Sequence, residues 1–373
     1  GGGNFTSDED SLYECTNYWG PSDLDPDTHL PTDPDCAEAT PLISDNTKCV
    51  MNTTEKILGD DTMHIMDVFE NFLDRKVPGG TEYRGMPFLA VLWLHTVHVP
   101  HPAMPEWYHA YTDAYGEPAG DYLGTISQMD AQIGRLRGML EAKGVKNNTA
   151  LWFASDNGPH TSDGGGCDGA NPRTSLQATN GLRQCKESVF EGGIRVPGIL
   201  EWPARIPSHR ETFFPAVTHD YLPTFLEATG VAHAHPDWET DGVSLVPIID
   251  RAAALPKDQV LFHARRHKAL GFQLSDQQAW IDDSLVMGRT LKLVRNPGKG
   301  QCSDWLEPWN KTNTANTSLY PLLFDLDSDP TESIDLSTKV EPGILASMVG
   351  ALDQWAASIL VSQTDEAECA ESS

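Results

Sequence analysis

The sequence predicts an α/β protein with a mostly parallel sheet flanked by helices, followed by a small α+β subdomain with an antiparallel sheet. Two apolar runs, Pro87–Leu94 and Ala150–Ala154, predict buried strands, and a helical stripe of apolar residues runs between them from Asp121 to Lys143. A helix between two apolar strands is the crossover that parallel strands require, so this order favours a parallel sheet covered on both faces. After about residue 255, short apolar runs alternate with polar loops, which is typical of an antiparallel sheet.

Residue periodicity predicts the remaining elements. Within residues 57–73, apolar side chains recur at helical spacing and predict one amphipathic helix. Gly144 and Gly230 follow two of the predicted helices, as glycine commonly does at a helix C-terminus. We expect two domains, residues 1–255 with an irregular, loop-rich part at 1–53, and residues 256–373. The other predicted elements are strands at 196–200, 259–263 and 290–295 and helices at 222–228 and 344–360.

The charge balance excludes some classes of partner. The chain has 26 Lys and Arg against 54 Asp and Glu, a net charge of −28. Nucleic-acid binders and proteins that adhere to anionic membranes depend on a basic surface, so neither class is expected here. No apolar run reaches the roughly 18–20 residues that span a bilayer. Any anion site in so acidic a protein must be locally positive.

The cysteines and glycosylation sequons indicate the compartment. Seven cysteines are dispersed along the chain without a Cys-x-x-Cys pair that would suggest zinc. Asn-x-Ser/Thr sequons begin at five asparagines, which are Asn4, Asn52, Asn147, Asn310 and Asn316. Together these features favour the secretory pathway, with an extracellular or lysosomal destination.

Candidate site residues follow the two apolar runs. Asp156 and Asn157 come directly after the second run, at the edge where α/β sheets bind ligands, and their oxygens suit Ca²⁺ or Mg²⁺. The Asp-Asn-Gly triplet is also a common turn, so by itself it leaves both readings open. The first run is followed by His95, His98 and His101, whose imidazoles suit proton transfer, although loop histidines with satisfied hydrogen bonds are equally common.

A longer pattern resolves this ambiguity by resemblance. Asp156-Asn157-Gly158 is followed by Lys186 and then by the segment Phe190-Glu191-Gly192-Gly193-Ile194-Arg195. This order resembles the formylglycine-dependent sulfatases of the alkaline-phosphatase superfamily, and its spacing is most similar to the N-acetylgalactosamine-4-sulfatase (arylsulfatase B) group. The resemblance covers about residues 57–340 and implies an alkaline-phosphatase-like fold, of which this chain has the later part.

The resemblance implies roles for individual residues. Asp156 and Asn157 would bind one divalent ion, Ca²⁺, and Lys186 would contact a sulfate oxygen near the leaving group. His98, which is followed by Val99 and Pro100 as in the family, would bind the sulfate and protonate the departing alcohol. Glu191 and Arg195 would form an ion pair that holds the Gly192–Gly193 turn. The implied substrate is a sulfated carbohydrate or a small aryl or alkyl sulfate.

Three further segments resemble the family. They are Asp220–Thr224, Asp241–Leu245 and Leu323–Glu332. The last is rich in acids, but it lacks the glycine and the closing glutamate spacing of an EF-hand calcium loop. We therefore expect it to be a structural turn.

The chain departs from the family in its nucleophile. No cysteine here occurs in the family's Cys-x-Pro/Ala-x-Arg motif, and neither the paired metal-binding aspartates nor the Gly-Lys-Trp-His element is present. Asp60-Asp61 is a poor substitute for the aspartates, because it precedes a predicted helix. Since the other functional residues are retained, we expect a sulfatase whose first part lies outside this chain. The alternatives are an inactive sulfatase-like protein that binds sulfated glycans and a phosphatase or phosphodiesterase of the same superfamily.

Overall fold

The computed structural model describes residues 12–13, 57–58, 61–83, 85–98, 101, 103–115, 117–160, 178–212, 214–233, 240–251, 269–274, 277–286, 289–296 and 321–371. These residues belong to two compact units, one up to Gly144 and one from Val145 onward. The strand predicted at 259–263 and most of the loop-rich part at 1–53 lie outside the described residues. The domain boundary expected near residue 255 stays a prediction.

The described residues of the first unit form a small strand pair and three helices. Strands β1 (Leu12–Tyr13) and β2 (Ile57–Leu58) are antiparallel, and they precede helices α1 (Thr62–Lys76), α2 (Pro105–Tyr115) and α3 (Glu117–Ala142). The predicted helices at 57–73 and 121–143 are thereby confirmed with shifted ends, whereas α2 was not predicted.

Packing among the three helices depends on their amphipathic faces. Helix α1 buries the apolar residues Met66, Phe69 and Leu73, whose spacing places them on one face. A Cβ atom at Gly124 of α3 would lie 2.7 Å from Cβ of Ala103 and 3.1 Å from the backbone nitrogen of Tyr108. Glycine at this position therefore permits the close approach of α3 to the start of α2.

The prediction of a strand at Pro87–Leu94 is wrong. This segment pairs with no strand among the described residues, and alternate side chains are exposed, Leu89 by 74% and Trp93 by 83%. Apolar composition indicates a tendency to be buried, but a strand also needs a neighbour that satisfies its backbone N–H and C=O groups. The described part of the first unit supplies no such neighbour.

The second unit begins with the strand that precedes the candidate site. Strand β3 (Leu151–Ala154) is followed by the one-turn helix α4 (Glu191–Ile194) and by β4 (Gly198–Glu201). The predicted strands at 150–154 and 196–200 are thus confirmed. They pair antiparallel, with Leu151 opposite Glu201 and Ala154 opposite Gly198. All strand pairs among the described residues are antiparallel, so the predicted parallel pairing is not seen there.

Two helices follow, one that begins within the first family-like segment and one that begins directly after the second. Helix α5 (Tyr221–Thr229) ends at Gly230 with φ of +69°, as predicted, and α6 is Val246–Arg251. The carboxylate of Asp220, which is buried, accepts hydrogen bonds from the backbone nitrogens of Val217 and Val243, each at 2.9 Å. This carboxylate joins the Asp220–Thr224 segment to the Asp241–Leu245 segment.

The C-terminal part is an antiparallel meander with a long helix, as the sequence predicted. Strands β5 (Leu270–Leu274), β6 (Gln277–Asp282), β7 (Leu291–Arg295) and β8 (Leu322–Asp325) pair in that order, and the final helix α7 spans Pro342–Glu371.

The two faces of this sheet contact different parts of the unit. On one face, Leu291, Leu293 and Leu323 pack against Met348 and Leu352 of α7. On the other face, a second cluster joins the sheet to the segment that precedes α4; its buried members are Val189, Phe190, Ala279, Val294, Leu322 and Phe324. Because side chains alternate along a strand, Lys292 on β7 lies on this second face, beside the family segment.

Candidate active site

The loop after β3 is held by its backbone. The hydroxyl of Ser155 donates to the carbonyl oxygen of Asn157 at 2.8 Å, and the N–H of Gly158 donates to the carbonyl oxygen of Gly193 at 2.9 Å. A Cβ atom at Gly158 would lie only 1.8 Å from the carbonyl oxygen of Gly192. Glycine is therefore required here by the close approach of two backbone segments, while Asp156 remains exposed at the end of the strand.

Lys186 is joined to the same loop. Its backbone N–H donates to the carbonyl oxygen of Pro159 at 2.9 Å, two residues beyond Asn157. The residues around it, Gln184 and Glu187, have positive φ angles of 63° and 69°, so the chain reverses tightly on both sides of Lys186. One backbone hydrogen bond thus joins Lys186 to the loop that contains Asp156 and Asn157.

The two glycines of α4 are fixed by their surroundings. The N–H of Gly192 donates to the carbonyl oxygen of Arg183 at 2.7 Å. A Cβ atom would lie 2.0 Å from the carbonyl oxygen of Gln184 if added at Gly192, and 2.1 Å from that of Ser188 if added at Gly193. Both glycines are buried, so this turn packs against the Arg183–Ser188 segment without room for side chains.

A group of buried charges lies beneath the turn. Nζ of Lys292, whose side chain is 0% exposed, is 2.8 Å from Oε1 of both Glu191 and Glu332. The N–H of Glu191 also donates to Oε2 of Glu332 at 2.6 Å. The predicted pair between Glu191 and Arg195 is present but longer, at 3.7 Å, and half of the Arg195 side chain is exposed. Glu191 is therefore held chiefly by Lys292 and Glu332.

The charges of this group shift two pKa values. Burial disfavours the charged form of Lys292, but the adjacent carboxylates of Glu191 and Glu332 outweigh burial and raise its pKa. Burial raises the pKa of Glu332, and the carboxylate of Glu191 adds to this rise against the opposing effect of Lys292. With two carboxylates around one ammonium, the proton on Lys292 is firmly held and one carboxyl group is easier to protonate.

Arg183 links the same group to the aromatic core. Its Nη1 donates to the carbonyl oxygen of Glu332 at 2.8 Å, and its guanidinium carbon lies 4.2 Å above the ring of Phe190. This geometry combines a hydrogen bond with a cation–π contact, both of which favour a buried arginine.

Sequence reasoning missed Lys292 and did not assign a role to Glu332. A signal for Lys292 exists in the pattern Leu291-Lys292-Leu293-Val294, where a single charge interrupts an otherwise apolar strand. A lysine in such a position needs buried acidic partners, because an unpaired buried charge is very costly. Its partners lie 101 and 40 positions away in the sequence, so local patterns do not identify them.

His98 belongs to the first unit. Its N–H donates to the carbonyl oxygen of His95 at 2.7 Å, and its side chain is exposed. Nδ1 of His95 contacts the buried carboxylate of Asp61 at the start of α1, and the hydroxyls of Thr62 and Thr96 are 3.0 Å apart. The turn that carries His98 is therefore held against α1. Because the other three site residues belong to the second unit, the convergence of all four stays a prediction.

The acidic segment that follows β8 forms a structural turn, as predicted. Oδ1 of Asp329 accepts hydrogen bonds from the hydroxyls of Thr331 and Ser333, each at 2.9 Å, and its Oδ2 accepts one from the N–H of Ile334 at 2.7 Å. Burial acts to raise the pKa of Asp329, but the hydrogen bonds from this turn outweigh burial and lower the pKa. These oxygens stabilise the turn itself.

The residues after β3 have oxygen donors that fit part of a site for a divalent cation. Among the described residues, no hydrogen bond occupies the carboxylate of Asp156 or the side-chain amide of Asn157. Both offer the oxygen donors that a hard cation prefers, but Ca²⁺ takes six to eight such ligands. The described part of the chain contains no cluster of three or more His, Cys, Asp or Glu side chains suited to a metal. A complete site needs further ligands from outside the described residues.

Comparison with known proteins defines the class of this chain: it belongs to the sulfatase family, whose model matches residues 11–231. Arylsulfatase D from Homo sapiens is 31% identical over 264 residues, which cover 69% of this chain and 41% of that protein. Steryl-sulfatase from Rattus norvegicus is 29% identical over 265 residues, covering 69% of this chain and 43% of that protein. The chain therefore spans about two fifths of the length of these curated relatives.

A solved structure shows a similar fold. The crystal structure of Ps i-CgsB in complex with k-i-k-neocarrahexaose has a TM-score of 0.59 at 22% identity, covering 83% of this chain and 56% of that one. The family model confirms the predicted family. The solved structure confirms the fold class, although the strand pairs among the described residues are antiparallel. The more specific resemblance to the arylsulfatase B group stays a prediction. In the described part of the chain, no helix combines the length and apolar character that crossing a bilayer requires.

Proposed function

We propose that the protein is a sulfuric ester hydrolase that removes sulfate from a sulfated carbohydrate or a small aryl or alkyl sulfate. Membership of the sulfatase family supports this activity. The single structural observation that carries the proposal is the backbone network around Gly158. It joins the loop of Asp156 and Asn157 to Lys186 through Pro159 and to the Gly192–Gly193 turn.

The local charges of the site suit a sulfate ester. Lys186 supplies a compact positive charge that stabilises charge developing on the sulfate oxygens and near the leaving group. Asp156 and Asn157 would hold Ca²⁺, which when bound supplies Lewis-acid stabilisation of the same oxygens. A cation and an ammonium together make the site locally positive in a protein whose net charge is −28.

His98 is proposed as the general acid. The imidazole of His98 can bind the sulfate and donate a proton to the departing alcohol oxygen. The hydrogen bond between the backbones of His98 and His95 supports a defined backbone turn at His98. The nucleophile of the family, a formylglycine made from cysteine, has no Cys-x-Pro/Ala-x-Arg motif in these 373 residues.

Substrate class and location complete the proposal. The oligosaccharide in the structure of Ps i-CgsB supports a sulfated carbohydrate as the substrate. The five sequons and dispersed cysteines support a protein of the secretory pathway, extracellular or lysosomal.

The test uses the whole protein and an aryl sulfate. We expect Lys186→Ala and His98→Ala each to lower kcat/KM by at least about 10²-fold, the scale for losing a charge-stabilising or acid group. Lys339→Ala and His209→Ala, at exposed positions of the second unit, serve as matched controls with unchanged rates. Near-normal rates in the first two variants would remove these residues from the mechanism. A wild-type protein that binds sulfated oligosaccharides without hydrolysing them would favour the glycan-binding alternative.

A further inference from the structure

Lys292, Glu191 and Glu332 form a buried charge group, and stability alone does not account for the presence of such a group at this place. Lys292 lies on β7 of the C-terminal sheet, and both of its carboxylate partners are buried as well. Apolar residues of similar size often stabilise a protein as well as a buried ion pair does. The best-attested use of such a group is to hold one particular arrangement of the chain.

The buried charge group is connected to the candidate active site through the backbone of the Gly192–Gly193 turn. Lys292 and Glu332 together fix Glu191, the first residue of α4, through its carboxylate and its backbone N–H. The next two residues are Gly192 and Gly193, and the carbonyl oxygen of Gly193 accepts the hydrogen bond from Gly158. The connection from Glu191 to the Asp156–Asn157 loop therefore runs through backbone atoms.

The glycines make this connection stiff. Backbone atoms of the Arg183–Ser188 segment leave no room for a Cβ atom at Gly192 or Gly193, so the turn packs backbone against backbone with this segment. The same segment includes Lys186, whose N–H is bonded to Pro159. We therefore expect a displacement of Glu191 to move both the loop of the candidate cation ligands and Lys186, which is proposed to contact sulfate.

We propose that Lys292 and Glu332 are positioning residues for the candidate active site, acting through Glu191 on the Gly192–Gly193 turn. This inference rests on the proposed function for its consequences in catalysis. The inference also has a positional part, which is that these residues keep the Gly192–Gly193 turn at a fixed distance from the Asp156–Asn157 loop. This positional part does not depend on the proposed function.

The experiment compares three variants of the whole protein that contains this chain. Lys292→Met alone leaves two buried carboxylates without their cation, and this variant can fail to fold for that reason. The double variant Lys292→Met/Glu332→Gln removes one charge of each sign and leaves Glu191 with Arg195, so it keeps the charges balanced. Arg295→Gln is the matched control, because it removes an ion pair on the same strand, the 2.6 Å contact with Asp353, that does not reach the turn.

Three measurements are made on each folded variant. They are amide hydrogen exchange at Gly158, the affinity for Ca²⁺ alone, and kcat and KM for an aryl sulfate. For the double variant we expect exchange at Gly158 to be at least about 10-fold faster and Ca²⁺ affinity and kcat to fall by about 10-fold or more, the scale for groups that orient metal ligands. We expect KM to change less than kcat, and Arg295→Gln to match the wild type.

The outcomes separate this inference from the proposed function. A folded double variant with wild-type exchange, Ca²⁺ affinity and kcat would overturn the positioning role. Wild-type protein that hydrolyses no sulfate ester would instead overturn the proposed function, and the exchange rate at Gly158 would still decide the positional part. Faster amide exchange confined to the Asp156–Asn157 loop and Gly158 supports the inference. Equally faster exchange throughout the second unit would show that Lys292 and Glu332 only stabilise the fold in general, which would contradict the inference.

Discussion

Gly158→Ala is expected to disrupt the candidate active site through a steric clash between two backbone segments. The added Cβ atom would lie 1.8 Å from the carbonyl oxygen of Gly192 and 3.1 Å from Cα of Gly193. An ordinary carbon–oxygen contact is well over an ångström longer, and the oxygen belongs to the backbone of a buried turn. Relief therefore requires the loop and the turn to separate, which breaks the hydrogen bond from Gly158 to Gly193.

The size of the effect follows from these two changes. Overpacking costs about 1–3 kcal/mol, and the lost hydrogen bond about 1 kcal/mol, so the free energy of unfolding should fall by about 2–4 kcal/mol. For a unit of this size, that corresponds to a decrease in Tm of roughly 4–16 °C. Since the separated loop carries Asp156 and Asn157, Ca²⁺ affinity should also fall.

The assay is calorimetric unfolding combined with titration of Ca²⁺ into the whole protein. Gly198→Ala is the matched control, because Gly198 is also in the second unit and an added Cβ atom there meets no other atom within 4 Å. A Gly158→Ala protein with the same Tm as this control, and with unchanged Ca²⁺ affinity, would refute the close approach of the two segments.

Two further predictions concern stability. Gly138→Ala, at an exposed position of α3 where an added Cβ atom meets no other atom within 4 Å, should raise the free energy of unfolding by about 0.5–1 kcal/mol through helix propensity; lower stability in urea unfolding would contradict this. Asp329→Asn should lower the free energy of unfolding by about 1–2 kcal/mol at neutral pH. The pKa of Asp329 is lowered in the folded protein, so its charged form stabilises the fold above the ordinary carboxyl pKa of about 3.9. The difference should disappear as the pH falls through the folded-state pKa, and a difference independent of pH down to acid unfolding would disprove the role of the charge.

The sequence predicted those parts of the site that local patterns determine. Asp156 and Asn157 follow a short apolar run closed by turn residues, and the structure places them at the end of β3 as expected. The family segment around Glu191 contains the expected Gly192–Gly193 turn, which the structure shows to be buried. In both cases the residues that define the feature are neighbours in sequence, so the pattern contains the information.

Other features depend on partners that are distant in sequence. Strands β3 (residues 151–154) and β4 (residues 198–201) pair antiparallel. The apolar composition of the two segments predicts that they are strands but does not indicate the direction in which they pair. Pro87–Leu94 has the composition of a strand, but no pairing neighbour exists among the described residues. Lys292 was likewise recognisable as unusual but not as the partner of Glu191, because only the folded sheet brings β7 beneath the turn.

The most direct test of the proposed site is a crystal structure of the whole protein with Ca²⁺ and sulfate bound. We predict an ion about 2.3–2.6 Å from oxygens of Asp156 and Asn157, and Nζ of Lys186 and the ring of His98 about 3 Å from oxygens of the same sulfate. An ion bound elsewhere, or Lys186 or His98 more than about 10 Å from the sulfate and pointing away from it, would contradict the proposed convergence of these residues.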